Sequence, residues 1–305
     1  MTFEITNILK SEPKFKLGRN SKAFDYSSNL KSGSFEFYND QFTMADQFEI
    51  GSAIKEEDIN ESPQEMIEAI SFFQNNLNPD SVLVELGGSK FQRRSGFPYS
   101  IFNNYFPLDI SRSSMIAYSE LYDRVGIACN AEKLPFISNS IDAIFTHTFL
   151  EHPIDPDAVV KEIDRVLKYG GYIIHSDAWH CRWWKRFGVY GVIPFQELTF
   201  RKKLLYLVIA ISELKIIRMP LIIFRRLIKE IFVSNSKNST LKFKKLIPNY
   251  DLKIYSDEDA AANIDPLDLI RFYENKDYEL VFKKSFFKRI IFNDTNVYLK
   301  KKLPK

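Results

Sequence analysis

Residues 129–176 (CNAEKLPFISNSIDAIFTHTFLEHPIDPDAVVKEIDRVLKYGGYIIHS) read as loop, strand, loop, helix, glycine stop and strand, and that order leaves few folds open. Residues 141–145 form a short apolar run that suits a buried parallel strand. Asp155 then supplies an N-cap and Pro156 the first helical position, with Asp157 adding negative charge at the positive end of the helix. Val159, Ile163, Val166 and Leu167 share one helical face, Lys168 sits near the negative end, and Gly170-Gly171 stops the helix before a second apolar run at 172–175. Strand, helix and strand at this spacing make a right-handed crossover in a parallel sheet. Such sheets place their chemistry beyond the carboxyl ends of the strands, here at residues 146–152 and 176–180.

Other strands extend this unit. Residues 82–86 read as a central strand, and a helix from a Ser62-Pro63-Gln64-Glu65 capping box precedes it. The next strand ends at Leu108-Asp109-Ile110-Ser111, with a helix over 111–121. Near the end of the chain Asp265-Pro266 caps a further helix, followed by strands at 278–282 and 296–299. With 305 residues the chain can bury a sizeable core, and 27 phenylalanines against 11 glycines make that core aromatic-rich. The two cysteines, Cys129 and Cys181, have neither metal-ligand spacing nor a disulfide framework. A net charge of +3 is too small to argue for nucleic acid. The amino terminus lacks the apolar core of a secretory signal, so the expected location is cytoplasmic.

The crossover segment closely resembles the second half of class I S-adenosylmethionine-dependent methyltransferases. The family string D-A-E-x-L-P-F, S-x-D, L-E-H, E-x-x-R-V-L-K-x-G-G is matched by Asn130-Ala131-Glu132, Leu134-Pro135-Phe136, Ser140-Ile141-Asp142, Leu150-Glu151-His152, residues 162–168 and Gly170-Gly171. The resemblance covers about 80–183 and 256–302 and implies an α/β fold with a Rossmann-like methyltransferase sheet. That sheet is mostly parallel, with an antiparallel closing strand and a helical insertion. Residues 1–60 are polar and irregular, with one alternating stretch at 34–42 that reads as a strand, and form an extension or lid. The domains expected are 61–190 with 251–305 for the methyltransferase and 191–250 for a basic amphipathic insertion.

The implied cofactor is S-adenosyl-L-methionine, held by Glu85, Gly87, Gly88, Asp109, Ile110, Asn130, Ala131, Glu132 and Thr146. Asp109, 22 residues after Gly87, stands where the family places the acid that accepts both ribose hydroxyls; the alternative is a helix N-cap acid. Asn130 replaces an adenine-contacting aspartate. The glycine turn departs from the family pattern G-x-G-x-G, since Ser89 and Phe91 stand at the later glycine positions. The loop is therefore remodelled, or the cofactor site is partly lost.

Transfer to a hydroxyl needs a base, and histidine is the usual one near neutral pH. His147, His152 and His180 fall beyond the strand ends, whereas His175 lies within a strand and reads as a core residue. Trp179, Arg182 and Trp183 read as an acceptor wall, because tryptophan stacks on sugar C–H surfaces and arginine bonds hydroxyls; the alternative is an anchor for the insertion. Asp257 and Asp259 read first as a capped acidic helix start and second as acceptor ligands.

Residues 197–233 alternate apolar runs with eight basic and three acidic residues, and the longest uncharged run is the nine residues 204–212. That is short of the roughly 20 needed to span a bilayer. Two amphipathic helices broken near Pro220 are expected. They form a cap over the site, a homodimer contact, or a cationic face on an anionic membrane at the inner surface. The functional readings are a glycan-sugar O-methyltransferase, a methyltransferase for a lipid or quinone-like acceptor, and a non-catalytic binding module of the same fold.

Overall fold

The computed structural model describes residues 5–10, 15–17, 23–26, 38, 64–88, 102–179, 181–187, 189, 194–233, 240–250, 259–282, 285–291 and 296–304. Its main sheet contains β1 (Phe15–Leu17), β2 (Ala23–Asp25), β3 (Val82–Leu86), β4 (Asn104–Asp109), β5 (Ile127–Ala128), β6 (Ile141–His147), β7 (Leu167–Ser176), β10 (Tyr278–Leu280) and β11 (Val297–Lys301). Two further strands, β8 (Phe243–Lys245) and β9 (Ala262–Ile264), pair antiparallel in a small separate sheet. Across the main sheet the order is β1-β2-β5-β4-β3-β6-β7-β11-β10. From β2 to β7 every neighbour is parallel, and β11 closes against β7 antiparallel. This is the expected Rossmann-like sheet with an antiparallel closing edge. β3 is buried along its whole length, its four apolar residues and Glu85 alike, as the central strand of a sheet covered on both faces.

Helices α1 (Gln64–Asn76), α2 (Arg112–Tyr122) and α3 (Pro156–Val166) cover the sheet. Asp155 caps α3 through Ala158 N at 3.2 Å, with Pro156 at the first position. The helix ends at Val166, one residue before the expected face ran out. Leu167 is already extended and pairs with Ile141. The glycines act later, in an irregularity between Ile141 and Ala143, where a Cβ on Gly171 would lie 2.8 Å from Asp142 O.

Much of the family string is a set of staples. Glu162 and Arg165 pair at 2.7 Å. The Glu162 carboxylate accepts from Leu134 N at 2.8 Å, and Arg165 donates to Phe136 O at 2.8 Å and Leu134 O at 3.1 Å. Lys168 pairs with Asp142 at 2.7 Å, while Asp142 also accepts from Val82 N at 2.8 Å.

The amino-terminal segment departs from the expectation of an irregular extension. β2 joins the sheet parallel to β5, with Ala23 fully buried and Asp25 paired to Arg112 at 2.8 Å. Strands of three residues are too short for alternation to be read. Most of the strand expected at 34–42 lies outside the described residues, and Tyr38 within it is helical.

The insertion forms α4 (Phe200–Ser212) and α5 (Lys215–Val233), and the break falls at Glu213-Leu214 rather than near Pro220. Glu213 fixes that junction by accepting from Arg182 at 3.0 Å and Arg218 at 3.1 Å. Pro220 is tolerated six positions into α5. Several basic residues of α5 point toward the body of the protein. Arg226, 1% exposed, forks onto Asp265 at 3.1 and 3.2 Å, Arg225 reaches the same carboxylate at 2.9 Å, and Lys229 pairs with Asp268. These acids belong to α6 (Pro266–Glu274) and its cap, so α5 turns its charge inward and covers a helix buried on nearly every side. The apolar residues face out instead. Eleven of the 23 exposed large hydrophobic side chains among the described residues lie between Phe200 and Ile228.

Candidate active site at the carboxyl ends of the strands

The turn after β3 is built around Gly87, whose φ of +78° suits glycine and whose backbone is bonded to Leu108 O at 2.8 Å. A Cβ there would stand 2.7 Å from Phe149 Cδ2, so the turn and the loop after β6 are in direct contact. Gly87→Ala combines a left-handed strain with that collision. It is expected to cost about 1–3 kcal/mol of stability and to weaken any ligand held by the turn. Paired urea denaturation and calorimetry would check it, and an undisturbed alanine variant would deny the turn this role. Residues 89–101, which contain the altered glycine positions, lie outside the described residues.

Glu85 is fully buried and accepts from the Tyr105 hydroxyl. Burial pushes its carboxyl up to about 8, partly offset by Tyr105 and reinforced by the charge of Asp109. Tyr105 engages Oε2, and Oε1 is buried without a hydrogen-bond partner among the described residues. Asp109 ends β4, half-buried, and its Oδ1 accepts from Ser111 N at 2.8 Å; Ser111, not Asp109, caps α2. Ile110 follows, partly buried, directly after β4.

Beyond β5, Ala131–Lys133 form a single 3-10 turn capped by Asn130, whose Oδ1 accepts from Glu132 N at 2.9 Å. Glu132 in turn accepts from Asp155 N at 3.1 Å, tying this turn to α3. The Asn130 oxygen is thus engaged within its own turn.

The loop after β6 is held from below. Asp177, 6% exposed, accepts from Phe149 N at 3.0 Å, Leu150 N at 3.1 Å and Thr146 Oγ1 at 2.8 Å. Burial opposes its charge, but these bonds and His175 hold it below the usual carboxylate range. His175 is fully buried, bonded to Thr146 at 2.8 Å and to the Tyr273 hydroxyl at 3.1 Å, as a satisfied core residue. Thr146 therefore belongs to this buried network. Asp177 gave no signal in sequence, because its partners are backbone amides 27 and 28 residues away.

That loop presents His152. Its Nδ1 lies 3.0 Å from Asp259 Oδ2, and its Nε2 lies 3.6 Å from Glu151 Oε1. Asp259 arrives there because Ala261 N and Ala262 N both donate to Glu151 O, at 2.8 and 2.9 Å. Burial disfavours the Asp259 charge, yet His152 and the Tyr38 hydroxyl bring it down to about 2. Burial, with Asp259 second, pushes the Tyr38 phenol up and keeps it a donor. Tyr38 also meets the His152 ring edge-on, with centroids 6.1 Å apart, and feels Asp109. Tyr38 thus stands against the His152–Asp259 pair.

His147 ends β6, with Nδ1 3.1 Å from Ser176 Oγ; burial lowers its pKa against the pull of Asp177 and Glu65. Trp179 packs against the main core, and Trp183 is 53% exposed with Phe187 at 6.0 Å. Arg182 is engaged by Glu213, so it anchors the insertion. His180 and Asp257 lie outside the described residues.

Residues 89–175 match the family described as "Methyltransferase domain". The ubiquinone/menaquinone biosynthesis C-methyltransferase UbiE of Stenotrophomonas maltophilia is 47% identical over 45 residues, 15% of this chain and 18% of that protein. An uncharacterized methyltransferase of Schizosaccharomyces pombe is 46% identical over 46 residues, 15% of this chain and 16% of its own. The chain thus spans less than a fifth of the length of these curated relatives. Among solved structures, a putative sarcosine dimethylglycine methyltransferase from Galdieria sulphuraria aligns with a TM-score of 0.37 at 20% identity, over 45% of this chain and 58% of that one.

Proposed function

We propose that this protein is an S-adenosylmethionine-dependent methyltransferase acting on a hydroxyl, with a sugar of a polysaccharide or lipid-linked glycan as the acceptor. The observation that carries the reading is the His152–Asp259 pair, set on a loop that touches the Gly87 turn through Phe149. The strand-end residues fit the cofactor in part. The Gly87-Gly88 backbone suits the methionine portion, and Asp109 suits the ribose hydroxyls. With the Asn130 oxygen engaged by Glu132 N, adenine recognition falls to the backbone of the 130–132 turn.

The cofactor supplies a methyl group already activated on a positively charged sulfur. The protein's own residues align the acceptor and move its proton. With Nδ1 3.0 Å from Asp259 and Nε2 3.6 Å from Glu151, His152 takes the hydroxyl proton at Nε2, and the two carboxylates stabilise the imidazolium. Asp177 holds the loop, and so the ring, in place. Trp179 and Trp183 offer faces to a sugar.

Calorimetry with S-adenosylmethionine and its demethylated product tests the reading. Asp109→Ala should remove two hydroxyl contacts to a charged group and cost about 2–3 kcal/mol of affinity. No binding by the wild-type protein would leave a non-catalytic module of this fold. A lipid or quinone-like acceptor is the second reading, favoured by the outward apolar helices of the insertion. Methyl transfer to saccharide and to isoprenoid lipid acceptors, measured side by side, distinguishes the two.

A further inference from the structure

We infer that α4 and α5 dock the protein on an anionic lipid surface by lying flat in the membrane interface. In α4, Leu204, Leu207, Val208 and Ile211 recur at helical spacing, and each is at least 50% exposed. In α5, Leu221 and Phe224 are 65% and 63% exposed on the side away from Arg226. Leu214 and Ile216 at the junction are exposed too. Ordinary surface helices bury this stripe, so an uncovered pair marks a docking face. No described helix is long and apolar enough to cross a membrane, which leaves insertion to interfacial depth.

Charge selects the occupant. Arg201 and Lys202 are exposed at the start of α4, and Lys203 stacks over the Phe195 ring at 5.6 Å. Residues 197–233 carry eight basic residues against three acids, Glu197, Glu213 and Glu230, and Arg182 and Arg218 already engage Glu213. The surface is therefore apolar with a cationic margin, complementary to lipid tails below anionic headgroups. A second copy of the same surface brings the same excess of cations. The inner cations of α5 hold the helix to the body through Asp265 and Asp268, which is why they do not serve the membrane. The Arg182–Glu213 pair ties the helices to the segment leaving β7, on the strand-end side of the sheet.

Flotation with phosphatidylcholine vesicles, with and without phosphatidylglycerol, tests this without any reaction being measured. The wild-type chain should float with both, and anionic lipid should raise partition about thirtyfold, from two exposed cations at about 1 kcal/mol each. Added salt should erase that gain. Arg201→Gln with Lys202→Gln should remove the anionic preference and keep the binding to neutral vesicles. Leu207→Glu with Phe224→Glu should abolish flotation while leaving the circular dichroism unchanged, both sites being exposed. Wild-type protein that stays soluble with both vesicles overturns the inference. So does a dimer, seen by sedimentation velocity without vesicle binding, that Leu207→Glu and Phe224→Glu dissociate, since it assigns the face to a second copy.

Discussion

Glu85→Gln should make the protein more resistant to urea at pH 9 and flatten its stability profile across the neutral range. In the folded chain the carboxyl titrates at about 8, against an ordinary value of 4.5, because burial opposes its charge. The folded state therefore holds a proton that the unfolded state has released between those two values. Stability contributed by the neutral acid is full below pH 4.5 and declines as pH rises toward 8. A displacement of that size corresponds to on the order of 5 kcal/mol. Glutamine keeps an acceptor for Tyr105 and has no proton to lose. Urea midpoints for both proteins at pH 5, 7 and 9 (roughly the range the shift spans) should diverge, and parallel profiles would contradict a buried neutral carboxyl. Near neutral pH Glu85, next to last in β3, is accordingly a neutral acid bonded to Tyr105 of β4.

What could be read in the sequence was what the chain specifies locally. The Asp155-Pro156 and Asp265-Pro266 caps act within three residues, and the structure forms both. The strand, helix and strand around them carried the sheet order. The most legible motif residues, Glu162, Arg165, Lys168 and Asp142, turn out to fasten loop, helix and sheet together. A strong motif match was thus mainly information about fold. The site itself depends on long-range placement. His152 was visible as a residue beyond a strand, but its carboxylate lies 107 positions later in a segment that reads as a helix start. Tyr38 is drawn in from an amino-terminal stretch without readable chemistry. The insertion misled for a related reason: composition counts charges without saying which way they point, and Asp265 and Asp268 attract the cations inward.

His152→Ala should lower turnover by about 10²–10⁴ while leaving cofactor affinity in place, the loss typical of a removed general base. The geometry singles it out among the histidines beyond the strands. His147 lies at the end of β6 against Ser176, where burial lowers its pKa, whereas His152 has Asp259 at 3.0 Å to stabilise a gained proton. Asp259, held at about 2, stays ionised throughout the working range. Asp259→Asn removes the charge and keeps the shape, so it should cut turnover and spare cofactor binding. His147→Ala is the deciding comparison. If it loses as much turnover as His152→Ala, or if the His152 variant keeps near-normal activity, the proton leaves by another residue and the His152–Asp259 pair is a structural clasp between the β6 loop and the segment before β9.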